Sequence, residues 1–243
     1  MVTDYRKQTN LIEVENVDIP IHVIGCGALG SWLVFFLLKM GFKNITVYDF
    51  DNIEEHNLPN QCFKEEQIGE AKVFAMYDIY KDFCKEDEDR LTVINEKVTA
   101  SVARKMEGIV LCAVDSMKIR EIIYKNSINK GKCDLFVEAR LSIYGAYVYA
   151  LTRYTDFEKY EATLYADEEA EVSPCGVSQT ALPAAVNAAS IMIMQMIEWI
   201  NGNELTNRIE YSIPWLDKME DKWNWQSERS IVKYVWSKWC STV

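Results

Sequence analysis

The segment Ile21-His22-Val23-Ile24-Gly25-Cys26-Gly27-Ala28-Leu29-Gly30 decides the fold of this chain. Its mostly apolar first four residues predict a β-strand, and the apolar residues from 29 to 40 predict a buried helix that stops at Gly41. Between strand and helix, Gly25, Gly27 and Gly30 have the spacing Gly-x-Gly-x-x-Gly, which lets backbone N–H groups at a helix N-terminus bind a phosphate. The motif alone indicates only a fold of the dinucleotide-binding type.

Strand and helix patterns alternate through the rest of the first half of the chain. The predicted strands are residues 45–48, 91–94, 109–114 and 135–139, and the predicted helices are residues 70–83, a short one from residue 100, and residues 116–129. Such alternation is typical of an α/β protein whose mostly parallel sheet carries helices on both faces. Ligands of such proteins bind at the carboxyl ends of the strands.

The pattern changes after Arg140. In residues 143–151 aromatic side chains alternate with others, which indicates an antiparallel strand. Residues 155–174 are polar and acidic and predict a long exposed loop. Residues 181–200 are mostly apolar and predict a long helix that ends at Asn201-Gly202. We therefore predict a Rossmann-like α/β fold with antiparallel C-terminal strands. Residues 1–205 would form one domain, and residues 206–243, which hold five of the seven tryptophans, would extend it.

Composition narrows the class of protein. The net charge of −11 argues against a nucleic-acid partner or an anionic membrane surface. Seven cysteines, an odd number with no Cys-x-x-Cys pair, fit a reducing cytoplasm and argue against a structural zinc site. The first ten residues are too polar for a signal peptide, and the apolar stretches are too short to span a bilayer. We therefore expect a cytoplasmic protein without a membrane segment.

Polar residues follow the second predicted strand at intervals. They are Asp49, Asp51, Asn57, Gln61 and Lys72. A carboxylate at the end of this strand binds ribose hydroxyls in dinucleotide-binding folds. A lysine on the next helix is not needed to bind NAD, whereas it fits a site at which a triphosphate is split. Taken singly, Asp49 could be a strand-end cap and Lys72 a solvated helix lysine.

Two residues further along the chain have both a functional and a structural interpretation. Asp115 follows the predicted strand 109–114, so it could hold Mg²⁺ at the carboxyl edge of the sheet or be the N-cap of the next helix. Cys175 lies between the acidic segment and the long apolar helix, where it could be a nucleophile or a packed thiol.

Five segments in this order resemble the ThiF/HesA/MoeB family, the bacterial branch of the ubiquitin-activating enzymes. They are Gly25-Cys26-Gly27-Ala28-Leu29-Gly30-Ser31, Asp49-Phe50-Asp51, Asn57-Leu58-Pro59-Asn60-Gln61, Gly69-Glu70-Ala71-Lys72 and Val114-Asp115-Ser116. The resemblance runs from about Tyr5 to Gly202. It implies a homodimer that uses Mg²⁺ and ATP to adenylate the C-terminal glycine carboxylate of a small ubiquitin-like protein.

The resemblance also implies roles for single residues. Asp49 would hold the ribose, Asn57 and Lys72 would contact the phosphates, and Asp115 would hold Mg²⁺. The glycine turn, Asp51 and Gln61 would complete the ATP site. Cys175 stands where sulfur-transfer and thioester-forming members place a cysteine. The segment Tyr5-Arg6-Lys7-Gln8 is similar to one in which an arginine reaches into the partner subunit's site, which makes Arg6 a catalytic candidate.

The chain departs from the family pattern at two places. Asn60 replaces an arginine that meets the phosphates in the family. The zinc-binding cysteine pairs of many members are missing, with Tyr160 and Thr163 near the first pair's place, and the segment Val137-Glu138-Ala139-Arg140-Leu141 resembles short zinc-free members. Arg140 could supply positive charge to the site or form a structural ion pair.

Alternative functions stay open on the sequence alone. An NAD(P)-dependent Rossmann oxidoreductase would leave Lys72 and Asp115 without a role. A non-catalytic member that binds a partner is favoured by Asn60. The same adenylation chemistry could also act on a small molecule or on tRNA, although the acidic net charge counts against tRNA.

Overall fold

A computed structural model of the protein describes residues 4–83, 90–142, 145–166 and 181–212. The chain divides into two units, Met1–Tyr211 and Ser212–Val243. Apart from Ser212, the second unit lies outside the described residues, as does most of the predicted tryptophan-rich extension.

The described residues form one sheet of seven strands. In chain order the strands are β1 (Ile21–Ile24), β2 (Ile45–Tyr48), β3 (Leu91–Ile94), β4 (Glu107–Cys112), β5 (Lys132–Leu141), β6 (Gly145–Thr152) and β7 (Arg208–Ser212). Their spatial order is β3-β2-β1-β4-β5-β6-β7, with β1 to β5 parallel and β6 antiparallel to β5. The predicted Rossmann-like sheet with antiparallel C-terminal strands is therefore confirmed.

The strand order reverses between β1 and β4. From β1 the chain builds β2 and β3 on one side and then crosses to β4 on the other side. The connections that leave the carboxyl ends of β1 and β4 therefore run in opposite directions and open a crevice, which is the usual ligand site of an open parallel sheet.

Six α-helices connect and cover these strands in the described residues. They are α1 (Gly30–Met40), α2 (Lys72–Phe83), α3 (Ala100–Ala103), α4 (Met117–Tyr124), which continues as a π-helix over Lys125–Asn129, α5 (Phe157–Glu161) and α6 (Leu182–Ile200). Gly41 ends α1 with a left-handed φ of +92° and donates its N–H to the Leu37 and Leu38 carbonyls, as helix-terminating glycines do. No helix in the described ranges is long and apolar enough to cross a bilayer.

Two hydrophobic clusters hold the helices against opposite faces of the sheet. Side chains that alternate along β5 divide between the clusters, with Leu135 and Val137 in one and Phe136 in the other. The first cluster contains buried residues of α1, α2 and α6, and the second contains Tyr124 of α4 and Tyr160 of α5. Because the sheet is covered on both faces, polar ligands can approach it only at its edges or at the ends of its strands.

The structure corrects the prediction of one long exposed loop over residues 155–174. The described part of this segment contains α5, and the Tyr160 side chain is buried. Its ring packs against Tyr124 and Phe136, at centroid distances of 4.7 and 6.4 Å. The acidic composition of the segment gave no indication that Tyr160 is buried, because its burial depends on Tyr124 and Phe136, which are distant in sequence. Residues 167–180 lie outside the described residues.

Candidate functional site

Two of the three glycines at the end of β1 are required by close backbone contacts. Gly25 has a φ of +94°, and a Cβ added to it would lie 2.7 Å from the Ala113 carbonyl oxygen. A Cβ on Gly30 would lie 1.9 Å from the Gly25 carbonyl oxygen. The turn can therefore form only when both positions lack a side chain.

Gly27 differs from the other two because open space lies above it. The nearest atom to an added Cβ would be the Gln61 Nε2, at 3.9 Å. The Gln61 Oε1 is buried and has no hydrogen-bond partner in the described part of the chain. A buried acceptor without a donor is costly, so a ligand hydroxyl or N–H group near Gly27, such as a hydroxyl of a nucleotide, would satisfy it. A phosphate-bearing nucleotide fits this cradle at the N-terminus of α1.

The two aspartates that follow β2 have different surroundings. The Asp49 carboxylate is 9% exposed and accepts hydrogen bonds from the backbone N–H of Cys26, at 2.6 Å, and of Asp51, at 2.8 Å. Asp49 therefore ties the end of β2 to the glycine turn. The Asp51 side chain is 51% exposed, so its carboxylate is more accessible to a ligand. The strand-end interpretation of Asp49 is confirmed, while its contact with a ribose stays a prediction.

Lys72 is a mostly buried lysine rather than a solvated one. Its side chain is 9% exposed, and its Nζ lies 3.2 Å from the Asp51 Oδ2. Lys72 is the first residue of α2, where the helix dipole disfavours a cation. A buried ammonium at the positive end of a helix is an unfavourable arrangement for stability alone, and an anionic ligand would balance it.

Asn57 and Asn60 shape the turn that carries Gln61. The Asn57 Oδ1 accepts from the Glu54 N–H at 3.0 Å, and its carbonyl accepts from the Gln61 N–H at the same distance. The Nδ2 of Asn57 is therefore the half of its amide that can donate to a ligand. The Asn60 carbonyl accepts from the Trp32 Nε1 at 3.0 Å, which fastens this turn to α1.

Asp115 lies beside the glycine turn on an exposed bend after β4. The preceding residues touch the turn, since an added Cβ on Gly25 would meet the Ala113 oxygen and, at 3.4 Å, the Val114 nitrogen. Ser116 is the N-cap of α4, because its Oγ accepts from the Ile119 N–H at 3.3 Å. The alternative that Asp115 is the N-cap is therefore wrong, and its carboxylate is not used for that purpose.

The donor set at this crevice fits Mg²⁺ better than a transition metal. No group of three or more His, Cys, Asp or Glu side chains that could hold a metal ion occurs in the residues that the structure describes. Mg²⁺ is commonly held by one or two carboxylates together with substrate phosphates and water. Asp115 together with a bound nucleotide meets that requirement.

The four described cysteines are poor nucleophiles. Cys26, Cys112 and Cys133 are fully buried and Cys62 is partly buried. Burial raises the pKa of all four thiols, that of Cys62 to about 11 and that of Cys133 to about 12. They are therefore thiols rather than thiolates at neutral pH. The predicted nucleophile, Cys175, lies outside the described residues.

Arg6 lies near the far end of α1 from the glycine turn. The neighbouring Tyr5 ring fills the space where a Gly41 side chain would stand, and the Gln8 Nε2 donates to the Met40 carbonyl. The eleven residues of α1 rise by about 16 Å between this end and Gly30. Arg6 itself is 88% exposed and pairs with Asp4, which raises its pKa. Arg6 is therefore remote from the glycine turn of the same chain.

Sequence reasoning missed a buried ionic network at the carboxyl end of β5. Glu138 is fully buried between Arg120 and Arg140, with which it forms ion pairs. Arg140 is therefore in a structural ion pair, one of the two interpretations that the sequence left open. Arg120 is 3% exposed although it belongs to an otherwise ordinary amphipathic helix, α4, and no local signal distinguishes it from a surface arginine.

Comparison with known proteins places the chain in context. The model of the ThiF family matches residues 14–223. The SUMO-activating enzyme subunit uba-2 of Caenorhabditis elegans is 30% identical over 111 residues, which are 44% of this chain and 19% of that protein. The adenylyltransferase and sulfurtransferase MOCS3-1 of Zea mays is 33% identical over 110 residues, 42% of this chain and 22% of that protein. The chain thus spans about a fifth of the length of these relatives.

Solved structures agree on the fold. The crystal structure of Escherichia coli MccB superposes with a TM-score of 0.68 at 16% identity, covering 86% of this chain and 66% of that one. MccB has also been crystallised with ATP. At this identity the likeness shows a common fold and nothing finer.

Replacing Asp49 by asparagine tests whether its carboxylate fastens the glycine turn. Asparagine can accept only one of the two N–H groups and turns its own NH₂ toward the other, so we expect Asp49→Asn to lower the free energy of unfolding by about 1–3 kcal/mol. The control Asp134→Asn alters a half-exposed carboxylate whose partner, Arg153, is also half-exposed, and it should cost less than about 1 kcal/mol. Urea unfolding measures both, and equal stabilities of the two variants would contradict the assignment.

Proposed function

This chain belongs to the ThiF family, and we propose that it is an ATP-dependent adenylyltransferase that activates the C-terminal carboxylate of a small ubiquitin-like protein ending in glycine. The observation that carries the proposal is the mostly buried ammonium of Lys72. It pairs with Asp51, whose N–H donates to the Asp49 carboxylate that also accepts from Cys26 in the glycine turn. A mostly buried ammonium at the N-terminus of a helix suits the phosphates of a nucleotide. The homologues support the reaction class, since MOCS3-1 is named an adenylyltransferase.

The proposed site divides the binding of ATP among four parts. The open backbone at Gly27 and the N-terminus of α1 receive the phosphates. Asp51 and Asp49 offer carboxylate oxygens to the ribose, Asp51 directly and Asp49 through the lone pairs that its two backbone donors leave. Asn57 and Gln61 add amide groups above the turn. Lys72 would contact the phosphates, and Asp115 would hold Mg²⁺.

The chemical step requires a carboxylate to attack the α-phosphorus of ATP, with release of pyrophosphate. Both reactants are anionic, so positioning and positive charge lower the barrier. Lys72 would neutralise charge on the phosphate oxygens as it develops. Asp115 would hold Mg²⁺, which when bound supplies a second positive charge to these oxygens. Asn60 lacks the charge of the arginine that the family has there, so the proposed site depends more strongly on Lys72.

We propose further that the protein acts as a homodimer with Arg6 serving the neighbouring site. Arg6 is exposed and remote from its own glycine turn, so it can contribute to catalysis only in another subunit. A two-fold dimer would supply two equivalent sites, each with one residue from the partner. The cation from the neighbour would compensate in part for Asn60.

Cys175 is the proposed acceptor in a second step. Its thiolate would attack the acyl carbon of the adenylate, forming a thioester and releasing AMP. The described thiols are raised in pKa by burial and are unsuited to this attack. Acidic neighbours in sequence, Asp167-Glu168-Glu169 and Glu171, oppose ionisation of the Cys175 thiol, so a bound partner or a cation would have to offset them.

The role of Lys72 is tested by Lys72→Ala in pyrophosphate exchange with a panel of small ubiquitin-like proteins that end in glycine. Loss of one preorganised cation should reduce exchange by about 100-fold or more. Exposed Lys64, which pairs with Asp82, gives the control Lys64→Ala, which should leave exchange unchanged. Calorimetry with Mg²⁺ and ATP measures binding separately.

A parent protein that binds ATP but exchanges no pyrophosphate with any member of the panel would contradict the proposed activity. That result would favour a non-catalytic member that binds a partner, the alternative suggested by Asn60. Equal exchange by Lys72→Ala and the parent would contradict the proposed role of Lys72.

Mixed dimers test whether Arg6 acts across the interface. Arg6→Ala and Lys72→Ala should each be nearly inactive in exchange. When the two are co-expressed, half the dimers carry one intact site, so about a quarter of the parent activity should return. No recovery would contradict action in trans, and a monomer mass by light scattering would contradict the dimer itself.

Cys175→Ser separates adenylation from transfer. Adenylation uses no thiol, so pyrophosphate exchange should survive, while a reductant-sensitive adduct between the protein and its partner should disappear. Cys133→Ser, which changes a fully buried thiol, is the matched control for the adduct. If the parent forms no such adduct, the adenylate passes directly to another acceptor and Cys175 is not the nucleophile.

A further inference from the structure

The carboxylate of Glu138 is the centre of a buried polar network. Glu138 lies on β5, is fully buried and forms ion pairs with Arg120 and Arg140. The Arg140 Nε and Nη2 donate to its Oε1 at 3.0 and 2.9 Å, and the Tyr160 hydroxyl donates to the same oxygen at 3.1 Å. Two guanidinium groups thus share one carboxylate, and each arginine has further contacts of its own.

The Arg120 side of the network reaches the loop that carries Asp115. Arg120 lies on α4, and its Nη1 donates to the Ala139 carbonyl on β5 at 3.1 Å. Its Nη2 donates to the Val114 carbonyl, which belongs to the peptide unit that joins Val114 to Asp115. Because a peptide unit is planar, holding the Val114 oxygen also orients the Asp115 nitrogen and Cα.

The Asp115 loop is therefore fixed on both sides. The Ala113 N–H donates to the Ile24 carbonyl at 2.8 Å, and the Ser116 side chain caps α4. Arg120 supplies the contact between these two anchors. A residue on an exposed bend is otherwise free to change its backbone angles, and a single metal-binding carboxylate tolerates little displacement.

The Arg140 side of the network has different contacts. Its Nη1 and Nη2 donate to the Thr163 carbonyl and hydroxyl, the latter at 3.0 Å. Its guanidinium also stacks over the Tyr149 ring, with 4.5 Å to the centroid. This side therefore fastens α5 and Thr163 to the sheet. Within the described residues Arg140 makes no hydrogen bond or ion pair with residues 113–116, so it serves as an internal control.

We propose that Arg120, held by Glu138, is a positioning residue that orients Asp115 toward Mg²⁺. The inference rests on the proposed function for the identity of the ligand, and on the described hydrogen bonds for the geometry. Arginine suits this role because its planar fork can contact Glu138, Ala139 and Val114 at once, whereas one lysine ammonium cannot match all three directions.

The test compares Arg120→Lys with Arg140→Lys, since both keep a positive charge beside Glu138. In the metal-free full chain, hydrogen exchange by mass spectrometry should accelerate over residues 113–117 in Arg120→Lys, and over residues 160–164 in Arg140→Lys. Titration of Mg²⁺ into the ATP-bound protein should show about ten-fold weaker binding for Arg120→Lys only. The affinity for ATP in EDTA should be equal in both variants and the parent.

Two results would overturn the inference. One is a rate of hydrogen exchange over residues 113–117 that is the same in Arg120→Lys as in the parent. The other is an equal loss of Mg²⁺ affinity in Arg140→Lys, which would mean that the network acts through general stability. Failure of the parent to bind ATP would overturn the proposed function instead. Hydrogen exchange needs no nucleotide, so it would still decide whether Arg120 holds the loop.

Discussion

The contact between the backbone at Gly25 and the start of α1 is the constraint on which the rest of the structure depends. Without side chains on Gly25 and Gly30, the chain can leave β1, pass close to Ala113, which follows β4, and enter α1 within a few residues. This places the N-terminus of α1 above the crevice between β1 and β4. Asp49, which accepts from the Cys26 N–H, and Asp115, which follows the residues that Gly25 touches, adjoin that point.

The residues around the turn are organised in pairs in which one supports the other. Asp49 binds the backbone and leaves Asp51 more accessible, and Asn57 binds the turn that places Gln61 above Gly27. Supporting groups of this kind hold the functional ones in position before a ligand arrives, which is what an electrostatic catalyst requires. The unsatisfied oxygen of Gln61 and the buried ammonium of Lys72 are the parts that a bound nucleotide would complete.

A second set of buried charges lies on the other side of the crevice. Glu138 with its two arginines joins β5 to α4 and α5 through ion pairs and hydrogen bonds. Tyr160 and Thr163, which stand near the place of the first zinc-binding cysteine pair in many family members, both take part in this network. In this chain a polar network therefore connects the sheet to the segment after α5.

The amino-acid sequence by itself determined the order of the elements and the location of the crevice. The bounds of β1, β2 and β3 were predicted to the residue because each is a short run of apolar and β-branched residues ended by glycine or polar residues. Much of the proposed nucleotide site, including the glycine turn and Lys72, could likewise be identified, since its spacing along the chain reflects consecutive β-α units.

Only the tertiary structure decided what each polar group contacts. Sequence patterns do not specify the partners on which four features depend. The features are the different contacts of Asp49 and Asp51, the N-cap role of Ser116, the burial of Tyr160 and the ion pair of Arg140. Periodicity and spacing report which face of an element is apolar, because burial of apolar surface is non-directional and repeats with the helix or strand. Hydrogen bonds and ion pairs need defined distances and directions, and those exist only once separate elements have packed together.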